Sequence, residues 1–168
     1  MTRKAAIIGG GVIGGGWAAR FLLNGWNVSV FDPDPEAERK ISEVMANARA
    51  ALPALSDVPM PAEGILSFAA TITEAVESAD YIQESVSERL DLKHRVFAQI
   101  QQSAALGTPI GSSTSGFKPS ELQEGAANPS VIFVAHPFNP VYLLPLAEVV
   151  PSPRSDAQVI ENAKQILK

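Results

Sequence analysis

KAAIIGGGVIG, residues 4–14, is the stretch whose reading decides the fold. Lys4–Ile8 is a short apolar run of strand length. It leads straight into Gly9-Gly10-Gly11-Val12-Ile13-Gly14, which satisfies G-x-G-x-x-G, and a helical stretch follows from about Gly14 to Leu23. In that setting each glycine of the pattern has a reason. Gly9 lets the chain turn tightly, Gly11 lets a pyrophosphate approach the backbone, and Gly14 lets helix and strand pack closely. The amides that open the helix, those of Val12 and Ile13 among them, lack intrahelical acceptors and lie at the positive end of the helix dipole, so they suit an anion.

Outward from the turn, Asn24-Gly25 supplies a helix stop and Asn27–Phe31 (NVSVF) reads as a second strand. Asp32 follows 18 residues past Gly14, where an acidic side chain can accept both ribose hydroxyls of an adenosine. Asp34 and Glu36 add negative charge, and no basic residue follows at once to hold a 2′-phosphate. That favours NAD over NADP, with Arg39 the competing cation. FAD uses a similar fingerprint, but the chain lacks further FAD signals. The bland alternative is that Asp32 caps the next helix.

The rest of the chain repeats the alternation. Helical patterning runs from about Pro35 to Leu55, interrupted by Pro53, and strand patterning follows at Ile65–Phe68, Tyr81–Val86, Thr108–Ser112, Val131–Ala135 and Leu146–Val150. Helices are expected around Thr73–Ser78, over Leu90–Ala104 and Pro119–Glu124, and from Asp156 to Leu167. Strands alternating with helices predict an α/β, Rossmann-like, doubly wound and mostly parallel sheet with helices on both faces.

Composition sets the remaining bounds. A chain of 168 residues, 46% hydrophobic and 18% charged, is enough for one domain, residues 1–168, and too short for two. Its mean hydropathy is +0.09. A net charge of −5 disfavours nonspecific binding to nucleic acid or to an anionic membrane, and no apolar run reaches the length of a membrane span. With no cysteine, disulfides, thiolate metal sites and cysteine nucleophiles are excluded; no metal is expected, and a reducing cytoplasm is the expected compartment.

There are two histidines. His94, between Lys93 and Arg95 on a predicted helix, reads as a solvated surface residue. His136 directly follows the strand VIFVA and so sits at the carboxyl end of the sheet, where open α/β sheets bind ligands. Twelve residues on, Glu148 lies in the apolar frame LAEVV and, read as buried, needs a partner that His136 can supply. A neutral imidazole can take a hydroxyl proton while a carboxylate fixes its tautomer, which suits alcohol oxidation. A bland role for His136, bonding the loop backbone, stays open at this point.

HPFNPVYLLPLAEVV (136–150), with GGGVIGGG, ESVSERLDLK (84–93) and SSTSG (112–116), resembles the 3-hydroxyacyl-CoA dehydrogenase family over essentially the whole chain. The resemblance implies an NAD-dependent dehydrogenase with His136 as catalytic base and Glu148 as its partner. It also implies that Ser115 and Asn139 hydrogen-bond the reacting substrate oxygen and the histidine's surroundings, and that Glu88 and Lys93 lie along the ribose and nicotinamide side of the cofactor. Without it, SSTSG reads as a flexible loop and Asn139-Pro140 as turn chemistry. Glu88 and Lys93, spaced i, i+5, then read as ordinary surface charges rather than a helical ion pair. Within the family, His-Pro-Phe-Asn-Pro followed by Val-Tyr-Leu-Leu-Pro-Leu resembles the branch acting on the 3-hydroxyl of L-carnitine more than the acyl-CoA branch. A non-catalytic NAD-binding module is the reading from another class.

Members of the family carry a second, mainly helical domain that closes the cleft and forms most of a homodimer interface. The expectation is that these residues are the cofactor-binding half and that they bind NAD but oxidise carnitine slowly or not at all alone.

Overall fold

The computed structural model describes residues 2–168. Thirteen elements follow in chain order: β1 (Lys4–Ile8), α1 (Val12–Leu23), β2 (Asn27–Phe31), α2 (Ala37–Ala51), β3 (Leu66–Phe68), α3 (Ile72–Val76), β4 (Tyr81–Glu84), α4 (Leu90–Ser103), β5 (Ile110–Ser112), α5 (Pro119–Leu122), β6 (Ile132–Pro137), β7 (Ala147–Val150) and α6 (Ala157–Leu167). The strands form one sheet in the order β3-β2-β1-β4-β5-β6-β7. Chain order reverses between β1 and β4, and the crevice at such a switch point is where doubly wound sheets take ligands.

β1 shows why a parallel strand reads as an unbroken apolar run. Ala5 and Ile7 pack on one face with Trp17, Phe21, Ile41 and Met45 of α1 and α2. Ala6 and Ile8 pack on the other with Ile72, Val96, Phe97 and Ile100 of α3 and α4. The helices obey the 3.6 period: α2 buries Ile41, Met45 and Ala48 and exposes its charged residues. Proline ends it as expected, the chain tightening into a 3-10 turn over Leu52–Leu55. Asp156 caps α6, its Oδ1 accepting from the Gln158 and Val159 amides at 2.8 and 3.0 Å.

Differences from the sequence reading have local causes. α1 begins at Val12 rather than near Gly14, because Gly11 already acts as its N-cap. β4 ends at Glu84 because the Glu84 side chain takes the Val86 amide, at 2.7 Å. β6 runs two residues past Ala135 because β7, with no helix between them, folds back antiparallel and pairs His136 with Glu148.

Candidate active site

The glycine turn joins β1 to α1 under tight constraints. Gly9 has φ +99°, in the region side chains avoid, and a Cβ there would lie 2.7 Å from the Ser85 backbone. A Cβ on Gly14 would overlap the Gly9 carbonyl, so helix and strand approach as only glycine allows. Gly11, in contrast, has nothing within 4 Å of where its Cβ would stand. The turn is therefore packed underneath and open above, beside the first amides of α1, among them those of Val12 and Ile13. That shape fits a pyrophosphate.

Asp32, one residue past β2, closes the turn from the other side. Its Oδ2 accepts from the Gly10 amide at 2.5 Å and its Oδ1 from the Asp34 amide at 2.8 Å. The helix-cap alternative is not what forms: α2 has Glu36 at its N-cap position and no side-chain cap. The nearby cations are already committed. Arg39 lies between Glu36 and Glu43, at 2.8 and 2.5 Å, and Lys40 meets Asp34 at 2.5 Å. The Lys40 ammonium holds the Asp34 carboxyl below its usual range. The Asp32 side of the turn is thus acidic, with its basic residues neutralised, which suits a cofactor without a 2′-phosphate.

The carboxyl ends of β4 and β5 are tied by a buried ion pair that the sequence reading missed. Lys93 is 1% exposed and its Nζ donates to Glu84 Oε1 at 2.8 Å and to the Val86 carbonyl at 3.2 Å. Ser112 Oγ donates to Glu84 Oε2 at 2.5 Å. The reading of Lys93 as an ordinary surface charge, made without the family resemblance, is corrected, while the contact it makes with Glu88 is not a helical pair. Glu88 lies in the loop before α4, not on the helix, and folds back to put its Oε2 3.3 Å from Nζ. Glu88 also accepts from the Thr114 hydroxyl and from the Ser115 and Gly116 amides, at 3.2 and 3.0 Å for the amides. SSTSG is therefore pinned rather than loose. Burial pushes the Glu88 carboxyl up, but the Thr114 and Gly116 hydrogen bonds and the Lys93 charge outweigh it and leave it below the ordinary value.

His94 also departs from its expected solvated state. Partly buried, its Nε2 lies 2.7 Å from the Glu121 carbonyl and ties α4 to α5.

At the far end of the sheet His136 Nδ1 lies 3.0 Å from Glu148 Oε2. The side chains are 29% and 58% exposed, so the premise of a buried Glu148 is wrong. β7 is an edge strand whose alternate residues face out. The pair meets through antiparallel register, not through desolvation. With Nδ1 turned to the carboxylate, Nε2 is the nitrogen left for other chemistry. The Phe138 ring stands edge-on to the imidazole at 5.7 Å. Asn139 and Ser115 are exposed on the two loops at this end of the sheet.

A Gly-rich turn at a sheet switch point, with an acid after β2, defines a dinucleotide-binding domain. The model of the 3-hydroxyacyl-CoA dehydrogenase NAD-binding domain matches residues 4–168, and the chain belongs to that family. Its cofactor is NAD. The chain is 68% identical over 164 residues to an L-carnitine dehydrogenase/betainyl-CoA thioesterase of Ruegeria pomeroyi, covering 98% of this chain and 34% of that protein. It is 58% identical over 167 residues to the L-carnitine dehydrogenase of Mesorhizobium japonicum, covering 99% and 46%. Among solved structures, an NAD+-dependent 5-formyl-3-hydroxy-2-methylpyridine 4-carboxylic acid 5-dehydrogenase matches with TM-score 0.90 and 30% identity, over 99% of this chain and 54% of that one. The 3-hydroxybutyryl-CoA dehydrogenase of Escherichia coli matches with TM-score 0.84 and 25% identity, over 99% and 36%. The chain thus spans between a third and half the length of these curated relatives.

Proposed function

We propose that the chain is the cofactor-binding part of a dehydrogenase that oxidises the 3-hydroxyl of L-carnitine to 3-dehydrocarnitine. The observation that carries the chemistry is the His136–Glu148 contact of 3.0 Å at the carboxyl end of β6. His136 Nε2 takes the proton of the substrate hydroxyl as the C3–H bond breaks. Glu148, accepting a hydrogen bond from Nδ1–H, fixes the tautomer and stabilises the imidazolium that forms. NAD, when bound, supplies the hydride acceptor. Ser115 and Asn139 hydrogen-bond the substrate oxygen, and Glu88 and Lys93 hold the loop along the ribose and nicotinamide side. The dehydrogenase names of the two relatives support carnitine as the substrate. A second, helical domain completes the cleft and joins two copies into a homodimer, so the 168 residues alone bind NAD and turn over carnitine slowly or not at all.

The test is a substrate panel on the dehydrogenase that carries this domain: L-carnitine and 3-hydroxybutyryl-CoA, each with NAD and NADP, read as reduced cofactor formed. Turnover of carnitine with NAD is expected. Activity confined to 3-hydroxybutyryl-CoA would reject carnitine, and robust turnover by the 168 residues alone would reject the division of labour.

A further inference from the structure

A polar chain crosses the core on the α1 side of the sheet. The Tyr81 hydroxyl donates to Gln83 Oε1 at 2.7 Å. Gln83 Nε2 donates to Ser113 Oγ at 2.8 Å and to the Ala135 carbonyl at 3.2 Å. Trp17 Nε1 also donates to Ser113 Oγ, at 3.2 Å, and Ser113 Oγ lies 2.8 Å from Ser85 Oγ. Tyr81 and Gln83 are fully buried. β5 makes room for the chain with Gly111, where a Cβ would stand 2.7 Å from the Ala135 Cβ and 2.9 Å from Gln83 Oε1.

The direction of every proton in this chain follows from counting. A backbone carbonyl only accepts, so Ala135 fixes which end of the Gln83 amide faces it and Ser113. An indole N–H only donates. Ser113 Oγ therefore accepts twice, both lone pairs are taken, and its proton goes to Ser85 Oγ. Ser85 then accepts from Ser113 and has its own proton left, with no acceptor for it among the described residues.

Ser85 stands where that proton matters. Along the carboxyl edge of the sheet the order is Asp32 after β2, the glycine turn after β1, Ser85 after β4, Ser113 after β5 and His136 on β6. With ribose at Asp32, pyrophosphate at the glycine turn and the proton acceptor at His136, the reacting ring lies over β4 and β5. We propose that Ser85 is a cofactor-binding residue that donates a hydrogen bond to an oxygen of the nicotinamide half of NAD, its polarity set by Trp17, Gln83 and Ser113. The placement of the ring rests on His136 as the reacting end; the binding test below does not depend on carnitine turnover.

Binding of NADH and of ADP-ribose, which lacks the nicotinamide, is titrated by fluorescence or calorimetry, with Tm alongside. Ser85→Ala weakens NADH about three- to tenfold, the range for one neutral hydrogen bond. It leaves ADP-ribose affinity unchanged and, stranding only the Ser113 proton, lowers Tm by less than Ser113→Ala does, and Ser85→Thr restores NADH. Ser113→Ala strands two donors, so Tm falls by at least roughly 2–4 °C, while NADH is still preferred. Unchanged NADH affinity in Ser85→Ala, or equal loss of both ligands, overturns the proposal. So does a Ser113→Ala variant that loses NADH at unchanged Tm. Should Ser113→Ala fail to fold, the Ser85 pair decides alone. A panel that rejects carnitine while these affinities behave as stated would overturn the substrate reading and leave Ser85 standing.

Discussion

Two carboxylates of one sheet face two nitrogen bases, and the sheet holds them in opposite ways. Glu84 and Lys93 meet at 2.8 Å with their side chains 0% and 1% exposed, and the remaining atoms of both have partners in Val86 and Ser112. Glu148 and His136 meet at 3.0 Å with 58% and 29% exposure. The first pair is sealed between the α4 face and the ends of β4 and β5, so every valence serves the fold. The second sits on an edge hairpin, where the register fixes one ring nitrogen and leaves the other to a ligand. The same kind of contact is structural where the sheet is covered and available for chemistry where it is not.

Removing one member of the sealed pair breaks the comparison hardest. Lys93→Met leaves Glu84 buried without its counter-charge, a loss of about 3–5 kcal/mol. Thermal unfolding should show a fall of roughly 6–20 °C at this chain length. The double variant Glu84→Leu/Lys93→Met should recover part of it, because an apolar pair carries no desolvation cost. A Tm unmoved by Lys93→Met would mean the pair does not hold the strand ends.

The open pair should respond in the reverse sense. Glu148→Gln is expected to leave Tm within about 1 °C, since surface pairs contribute little. It should lower kcat about ten- to a hundredfold, within the share a positioned base contributes. Steady-state kinetics and melting on the same preparation separate the two effects.

Glu88 lies between these extremes, 43% exposed with one face on the buried lysine. Its folded carboxyl is held below the ordinary value by Thr114, Gly116 and Lys93 against the opposing pull of burial. The stabilisation it gives is therefore complete above the ordinary glutamate range and lost as pH falls through the depressed value. Screened by solvent, it amounts to less than about 1 kcal/mol. The Tm gap between wild type and Glu88→Gln should be small at neutral pH and close on acidification. A gap that widens in acid would reverse the assigned sign.

How far the sequence could be read follows the same division. The sequence bounds β1 and β2 to the residue because strands buried on both faces are continuous apolar runs. The glycine turn was legible because each glycine meets a separate steric demand. The sequence pairs His136 with Glu148 only by way of a buried carboxylate, which proves exposed; antiparallel register through a loop has no short-range signal. Lys93 could have been found: with Val96, Phe97 and Ile100 it shares the spacing of the buried α4 face. Its charge argues for the surface, and nothing in the sequence marks its strand partner Glu84 as buried with it. Gln83 was hidden likewise, since a polar residue in a buried strand shows its purpose only when donors across three strands and a helix are counted.

The central claim, that His136 is the base of an NAD-dependent carnitine oxidation, is tested most directly by His136→Ala in the dehydrogenase carrying this domain. NADH formation from L-carnitine should fall about a hundred- to ten-thousandfold, with NADH affinity and Tm close to wild type. Turnover that survives the substitution intact would contradict the account.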